Sequence, residues 1–253
     1  MGVDLGERIA GLRSNDADVV EVLRRVLAPI RVDDDVFPNL SLYVGGGNGK
    51  TRELHRLYRR GGIVLRTAST GRLIRAAMNH LASFLPPPTG LVPLNGQLVV
   101  GDGGAVLGLA PFGSVEVPER RVRRLGWRST DGAAPFFDPA SLEVVIGEPR
   151  LTLDAAALAE VEERWPIGDG EDAAEPGRYP IRAVVLVDLR DDDLLFGSPA
   201  RRLAGLASLL DTSVRPIRAT DVDALGTLES RVEIVRIVGP DPKGLLAALR
   251  DLT

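Results

Sequence analysis

The residues of this chain best placed to do chemistry stand in the stretch Val44-Gly-Gly-Gly-Asn-Gly-Lys-Thr51. It ends in Gly-Lys-Thr, the order in which a phosphate loop offers a lysine to the β- and γ-phosphates and a hydroxyl to magnesium. Lys50 and Thr51 are therefore candidate ligands of Mg-ATP. Two features of the same stretch point elsewhere. Val44 occupies the position where such a loop opens on glycine. Asn48-Gly49 is the pair preferred in a tight hairpin turn, because both residues tolerate positive φ. The flanks alternate as strands do, and 52–60 is too short for the long helix that a phosphate loop opens. The expected structure here is a hairpin.

Other reactive side chains are sparse. Cysteine is absent, which removes disulfides, thiolate nucleophiles and cysteine-bound zinc together. His55 and His80 are the only histidines, too few for a histidine-rich metal site, and neither has a Ser or Asp partner evident for nucleophilic catalysis. No Gly-x-Ser-x-Gly nucleophile elbow occurs. Asp131, Asp138 and Glu143 would make a metal site if they met, but Asp138-Pro139 reads as a turn opener and Glu143 as an outward strand position. The acidic run at 188–193 lacks the glycine and terminal glutamate of a calcium hand and reads as a solvated loop. Arg120, Arg121, Arg123 and Arg124 make a basic helical patch. It reads as a solvated face with Val122 and Leu125 inward, or else as a dock for an acidic peptide or phosphate. Trp127 and Trp165 are expected in or beside a core; the Gly-rich loop after Trp165 is the one argument for placing it at a partner surface.

The composition bounds what must position these residues. The chain has 253 residues, 44% of them apolar and 26% charged, with a formal net charge of -4. A sizeable core is available, and no field of one sign recommends nucleic acid or an anionic membrane as partner. No apolar run approaches the roughly 20 residues that cross a bilayer, and no signal-peptide pattern opens the chain, so the expected compartment is the cytoplasm.

Residues 1–13 are expected to be loose. A helix capped by Asn15 or Asp16 follows, with Val19, Val20, Leu23, Val26 and Leu27 on its buried face, ending at Pro29. Strands at 40–44, 53–58 and 63–65 make an antiparallel meander. A helix from Thr70 carries Leu73, Ile74, Ala77, Met78, Leu81 and Leu85 inward and stops at Pro86-Pro-Pro88. The triproline is the expected boundary between an N-terminal α+β domain, 14–86, and an α/β domain, 87–253. In the second domain the pattern predicts strands at 97–100, 105–110, 142–146, 181–189 and 232–238. Helices are predicted at 118–125, from Asp154 to Arg164, at 199–210 and at 242–252. Such alternation predicts a mixed sheet flanked by helices.

This order, together with Gly126-Trp127, the Asp-containing segment at 129–132, Phe137-Asp-Pro-Ala-Ser-Leu-Glu-Val-Val145 and Arg178-Tyr-Pro-Ile-Arg-Ala-Val-Val-Leu-Val187, resembles the HPr-kinase-like family. Those are serine kinases on a phosphoenolpyruvate-carboxykinase-like P-loop core. The leading region resembles that of relatives found beside peptide-modifying enzymes. The resemblance implies a phosphate loop at Leu109-Ala-Pro-Phe-Gly-Ser-Val-Glu116, where Gly113 and Ser114 would be the ligands. A working loop needs several glycines with converging amides and a lysine; this stretch has one glycine, no lysine, and a repelling Glu116. Asn95-Gly96 stands where the family has a His-Ala pair, and of the family's aspartate pair only Asp131 remains to act as base. What the resemblance implies is therefore a degenerate kinase: a non-catalytic binding or regulatory protein without cofactor, serving a protein or peptide partner and able to form homo-oligomers as the kinases do. The alternative is a divergent ATP-dependent serine or peptide kinase that uses Lys50, or a rearranged loop near Gly113, with Asp131 as base.

Overall fold

Local signals place the first helix and the strands around it. Asp16 accepts a hydrogen bond from the Val19 amide (2.9 Å) and so starts α1 at Ala17–Val26. Pro29 lies in a single 3-10 turn, Ala28–Ile30, rather than in the helix. The computed structural model describes residues 1–32, 36–45, 54–59, 62–94, 97–109, 119–129, 135–147, 150–166, 174–188, 198–207, 209–210, 216–238 and 242–252. These form a mixed α/β protein with two mixed sheets and seven helices. The chain divides into two compact units: Met1–Leu85 with Asp131–Ala133 and Pro149–Asp172, and Pro86–Thr130 with Ala134–Glu148 and Ala173–Thr253.

The first unit holds a six-stranded sheet. Its strands are β1 (Gly2–Asp4), β2 (Ile9–Ser14), β3 (Arg31–Val32), β4 (Pro38–Tyr43), β5 (His55–Arg59) and β6 (Gly62–Thr67), in the order β3-β1-β2-β4-β5-β6. The antiparallel meander β4-β5-β6 is present. It is half of a larger sheet, because β2 pairs parallel to β4. The expectation of a loose segment at 1–13 is corrected: Val3, Ala10 and Leu12 are buried, and β1 and β2 pair with each other and with β3 and β4. The apolar positions that anchor this segment are spread over two short strands, too few in either to mark it against the charged residues between them.

On the helix side of the sheet, Leu40, Leu42 and Leu57 form one core with Val19, Val22 and Leu23 of α1 and with Leu73, Ile74 and Leu81 of α2 (Thr70–Ala82), which Ser69 caps. Each such side chain contributes about 1.5–3 kcal/mol on burial. The same core takes Val161 of a later helix, α4 (Ala155–Arg164), capped by Asp154. The boundary expected after residue 86 would place α4 in the second domain. Instead the chain returns to the first unit at 149–172. The Asp154 amide bonds to the Val26 carbonyl, and Arg25–Glu160 and Arg164–Asp18 are ion pairs. A cut drawn along the sequence cannot represent such a return.

The second unit is built on β7 (Val92–Pro93), β8 (Gln97–Gly101), β9 (Gly104–Leu109), β10 (Arg128–Ser129), β11 (Pro135–Asp138), β12 (Glu143–Ile146), β13 (Gly177–Asp188) and β14 (Glu233–Val238). Strand β13 is its spine. Residues 177–180 pair antiparallel with β12, and residues beyond them pair parallel with β9 and with β14. Val184 and Val185 are fully buried, as a strand covered on both faces requires. The helices are α3 (Glu119–Arg124), α5 (Pro199–Ala207), α6 (Ala219–Arg231) and α7 (Pro242–Asp251). Helix α6 is not foreseen from the sequence, since its buried Ala224, Leu225 and Leu228 make a narrow stripe with Asp221 beside them. It packs against α5, where Arg202 pairs with Glu229 at 2.8 Å. No helix among the described residues is long and apolar enough to cross a membrane.

Candidate functional site

Lys50 and Thr51 lie outside the described residues, but the chain on either side of 46–53 is defined. The chain leaves β4 at Tyr43 and re-enters the sheet at His55, with Tyr43 and Arg56 as antiparallel partners. At the base, Gly45 lies so close to Leu54 that a Cβ on it would sit 2.6 Å from the Leu54 carbonyl oxygen. His55 is buried and ties this base down. Its Nδ1 accepts from the Gly45 amide (3.3 Å), and its Nε2 lies 3.2 Å from Thr70 Oγ1. A strand, β5, comes after the Gly-Lys-Thr stretch. The helix end that would stabilise a phosphate there is not supplied by that next element.

The second expected site begins where β9 ends. Gly113, Ser114 and Asp131 lie outside the described residues, as do Asn95 and Gly96. Beyond them comes α3, described from Glu119 to Arg124. Arg121 and Arg124 are exposed, Arg123 is half-buried, and Val122 is buried in a core with Val106, Trp127, Val185, Ile237 and Leu249. Arg120 belongs to the same helix, and its side chain is outside the described set. Trp127 is 3% exposed, and its indole N–H donates to the Leu249 carbonyl at 3.1 Å. Trp165, the other partner-surface candidate, is half-buried against the core of the first unit, and the Arg164 guanidinium stands 4.5 Å from its ring centre.

Asp138 and Glu143 meet through a residue that the sequence does not nominate. The Arg178 Nη1 on β13 donates to Asp138 Oδ2 (2.8 Å) and to Glu143 Oε2 (3.0 Å), and Ser141 Oγ donates to the same Glu143 oxygen (2.8 Å). The Arg178 bond holds the Asp138 carboxyl below its usual range, and Ser141 first, then Arg178, does so for Glu143. The cluster closes the β11–β12 corner. There Leu142 has φ of 59°, a left-handed conformation costly for a residue with a Cβ. Backbone bonds to Asp138 and Ile181 pin it. Asp138 also accepts from the Ala140 amide, as the turn opener expected at Asp138-Pro139 does. With both carboxylates bonded to one guanidinium, this corner is built as a latch. Among the described residues no group of three or more His, Asp or Glu side chains is arranged to hold a metal ion.

The latch gives a pH signature. Carboxylates held below their ordinary values stabilise the fold fully above that range, and the contribution disappears as pH falls through the folded-state values. Arg178→Gln is expected to lower Tm by no more than a few degrees at pH 7. The gap from wild type should close below about pH 4. A gap of constant size from pH 7 to pH 3 in thermal melts would show that the carboxylates do not stabilise through Arg178.

Fold and geometry thus define a two-unit mixed α/β protein in which Arg178 ties Asp138 and Glu143 together. No protein-family model matches the chain, and no curated protein or solved structure matches it either.

Proposed function

We propose that this chain is a non-catalytic binding or regulatory protein, built on a degenerate HPr-kinase-like fold and working in the cytoplasm on a protein or peptide partner, possessing no nucleotide cofactor of its own. The observation that carries the reading is the passage from β9 to α3. A phosphate loop leaves a parallel strand and opens a helix whose first amides face the anion. Strand β9 is parallel to the buried β13, as the strand ahead of such a loop would be. The residues that follow β9 are Ala110-Pro-Phe-Gly-Ser-Val-Glu-Val-Pro118. They include a single glycine and no cation. Nothing in that stretch offsets the charge of a triphosphate. The resemblance to relatives that accompany peptide-modifying enzymes supports a role as accessory to peptide maturation, and a homo-oligomeric state accords with the ring-forming habit of those kinases.

Calorimetric titration of the full chain with Mg-ATP tests the reading. The expected result is no saturable heat, with wild type and Lys50→Ala alike. Saturable heat that disappears in Lys50→Ala would instead establish the alternative, a divergent ATP-dependent kinase working from Lys50. Heat that survives Lys50→Ala but is lost in Gly113→Val would place the nucleotide after β9, with Asp131 as the base to test next.

A further inference from the structure

The sheet of the first unit has two unlike faces. One carries the leucines that meet α1 and α2. Register assigns the residues of the other. Arg13, Ser41 and Tyr58 lie side by side across β2, β4 and β5, and Tyr43, Arg56 and Arg66 lie side by side across β4, β5 and β6. These two adjacent rows hold three guanidinium groups, two phenol rings and no carboxylate. Arg13, Tyr43 and Arg66 are exposed; Ser41, Arg56 and Tyr58 are half-buried. Arg13 Nε donates to Ser41 Oγ at 2.8 Å, which orients its guanidinium along the sheet. The Arg56 guanidinium stands 5.9 Å from the centre of the Tyr43 ring, and its Nε–H is buried with no acceptor among the described residues. Arg56 and Arg66 are direct partners across β5–β6.

We infer that this face is the binding surface for an acidic peptide, whose carboxylates lie against Arg13 and Arg56 while its backbone crosses the tyrosines. The inference rests on the reading of the chain as a peptide-binding protein and names the surface that would serve it. Two physical points carry it. A guanidinium takes a carboxylate in a two-point, charge-assisted bond. A small outward turn of Arg56 brings its unmet Nε–H to an incoming carboxylate. A single-stranded nucleic acid, the other polyanion that arginines and tyrosines receive, fits less well. Base stacking needs free ring faces, whereas Arg56 stands over Tyr43 and Tyr58 is half-buried.

Fluorescence anisotropy tests this with the full chain and a fluorescein-labelled decapeptide of alternating glutamate and serine. Binding is expected to saturate, to weaken with added salt, and to weaken at least about tenfold in R13E/R56E, the equivalent of about 1.4 kcal/mol. R13S/R56S should show the same direction of change, which guards against misfolding of the charge-reversed variant; circular dichroism checks both. R121E/R124E in α3 should bind as wild type does. Absence of peptide binding, equal binding in both Arg13/Arg56 variants, loss confined to the α3 variant, or tighter binding of a labelled ten-nucleotide thymidine oligomer would each overturn the inference. The Mg-ATP titration separates it from the reading beneath it. Nucleotide binding would remove that reading while leaving the peptide result to stand, and a failed peptide titration without nucleotide binding would remove the surface alone.

Discussion

Gly104→Ala is expected to lower Tm by about 6–12 °C, the equivalent of about 3 kcal/mol for a chain of this size. Gly104 opens β9 with φ of 128°, a conformation that side chains with a Cβ rarely adopt. A Cβ built there would lie 2.3 Å from the Pro180 carbonyl oxygen and 3.0 Å from Arg182 Cγ. The first of these is backbone of β13, the strand to which most of the second unit is joined, so it cannot swing aside as a side-chain tip would. Steric cost and dihedral strain therefore add. The neighbour supplies the control. A Cβ on Gly103 would meet nothing within 4 Å, and Gly103→Ala should melt within about 2 °C of wild type, as open surface substitutions do. Paired thermal melts that show the two variants alike would refute the account of the β9–β13 approach.

Trp127→Ala should cost about 3–5 kcal/mol, in the range of aromatic truncations inside a core. The ring fills the space among Val106, Val122, Val185, Ile237 and Leu249 and so joins α3 and the central strands to α7. Its N–H also holds the Leu249 carbonyl. Trp127→Phe keeps much of the ring and removes the donor; it is expected to cost about 1 kcal/mol for the lost bond, with a smaller packing loss added. The larger truncation should show first at the C-terminus. Hydrogen exchange across 242–252 is expected to accelerate in Trp127→Ala under conditions where β13 remains protected. Uniform acceleration through both segments would mean that Trp127 supports the whole unit and not the docking of α7 in particular. Trp165 provides a contrast, being only half-buried.

The candidate chemistry was legible in the sequence chiefly as negatives. Lysine is missing between β9 and α3, cysteine is missing throughout, and histidines are too few for a histidine-rich metal site. These absences rest on residue identity alone, since no fold can supply a side chain the sequence lacks. The latch of Asp138, Ser141, Glu143 and Arg178 was half legible: both acids stand out by type, but with Asp131 as their companion. Arg178 is 35 residues from Glu143, and only the antiparallel pairing of β12 with β13 brings them together. The Arg13–Tyr43–Arg56 face was missed, although alternation in β4 and β5 contained its signal. Leu40, Leu42 and Leu57 mark one face, and Ser41, Tyr43, Arg56 and Tyr58 must then share the other.

What the sequence determined unaided was local. Asp16, Ser69 and Asp154 each satisfy an amide three residues on, and so they start helices whatever lies around them. Leucines at alternate positions make strands, whereas α2 ends at Ala82, ahead of the Pro86 to Pro88 run expected to stop it. Only the tertiary structure decided which strands became neighbours. It drew residues 2–14 into the first sheet, made β2 parallel to β4, and returned α4 to the core of the first unit. Each of these choices depends on apolar surface far apart in the chain being buried together. That term grows with area and carries no record of sequence separation, so the spacing of residues along the chain could not reveal it.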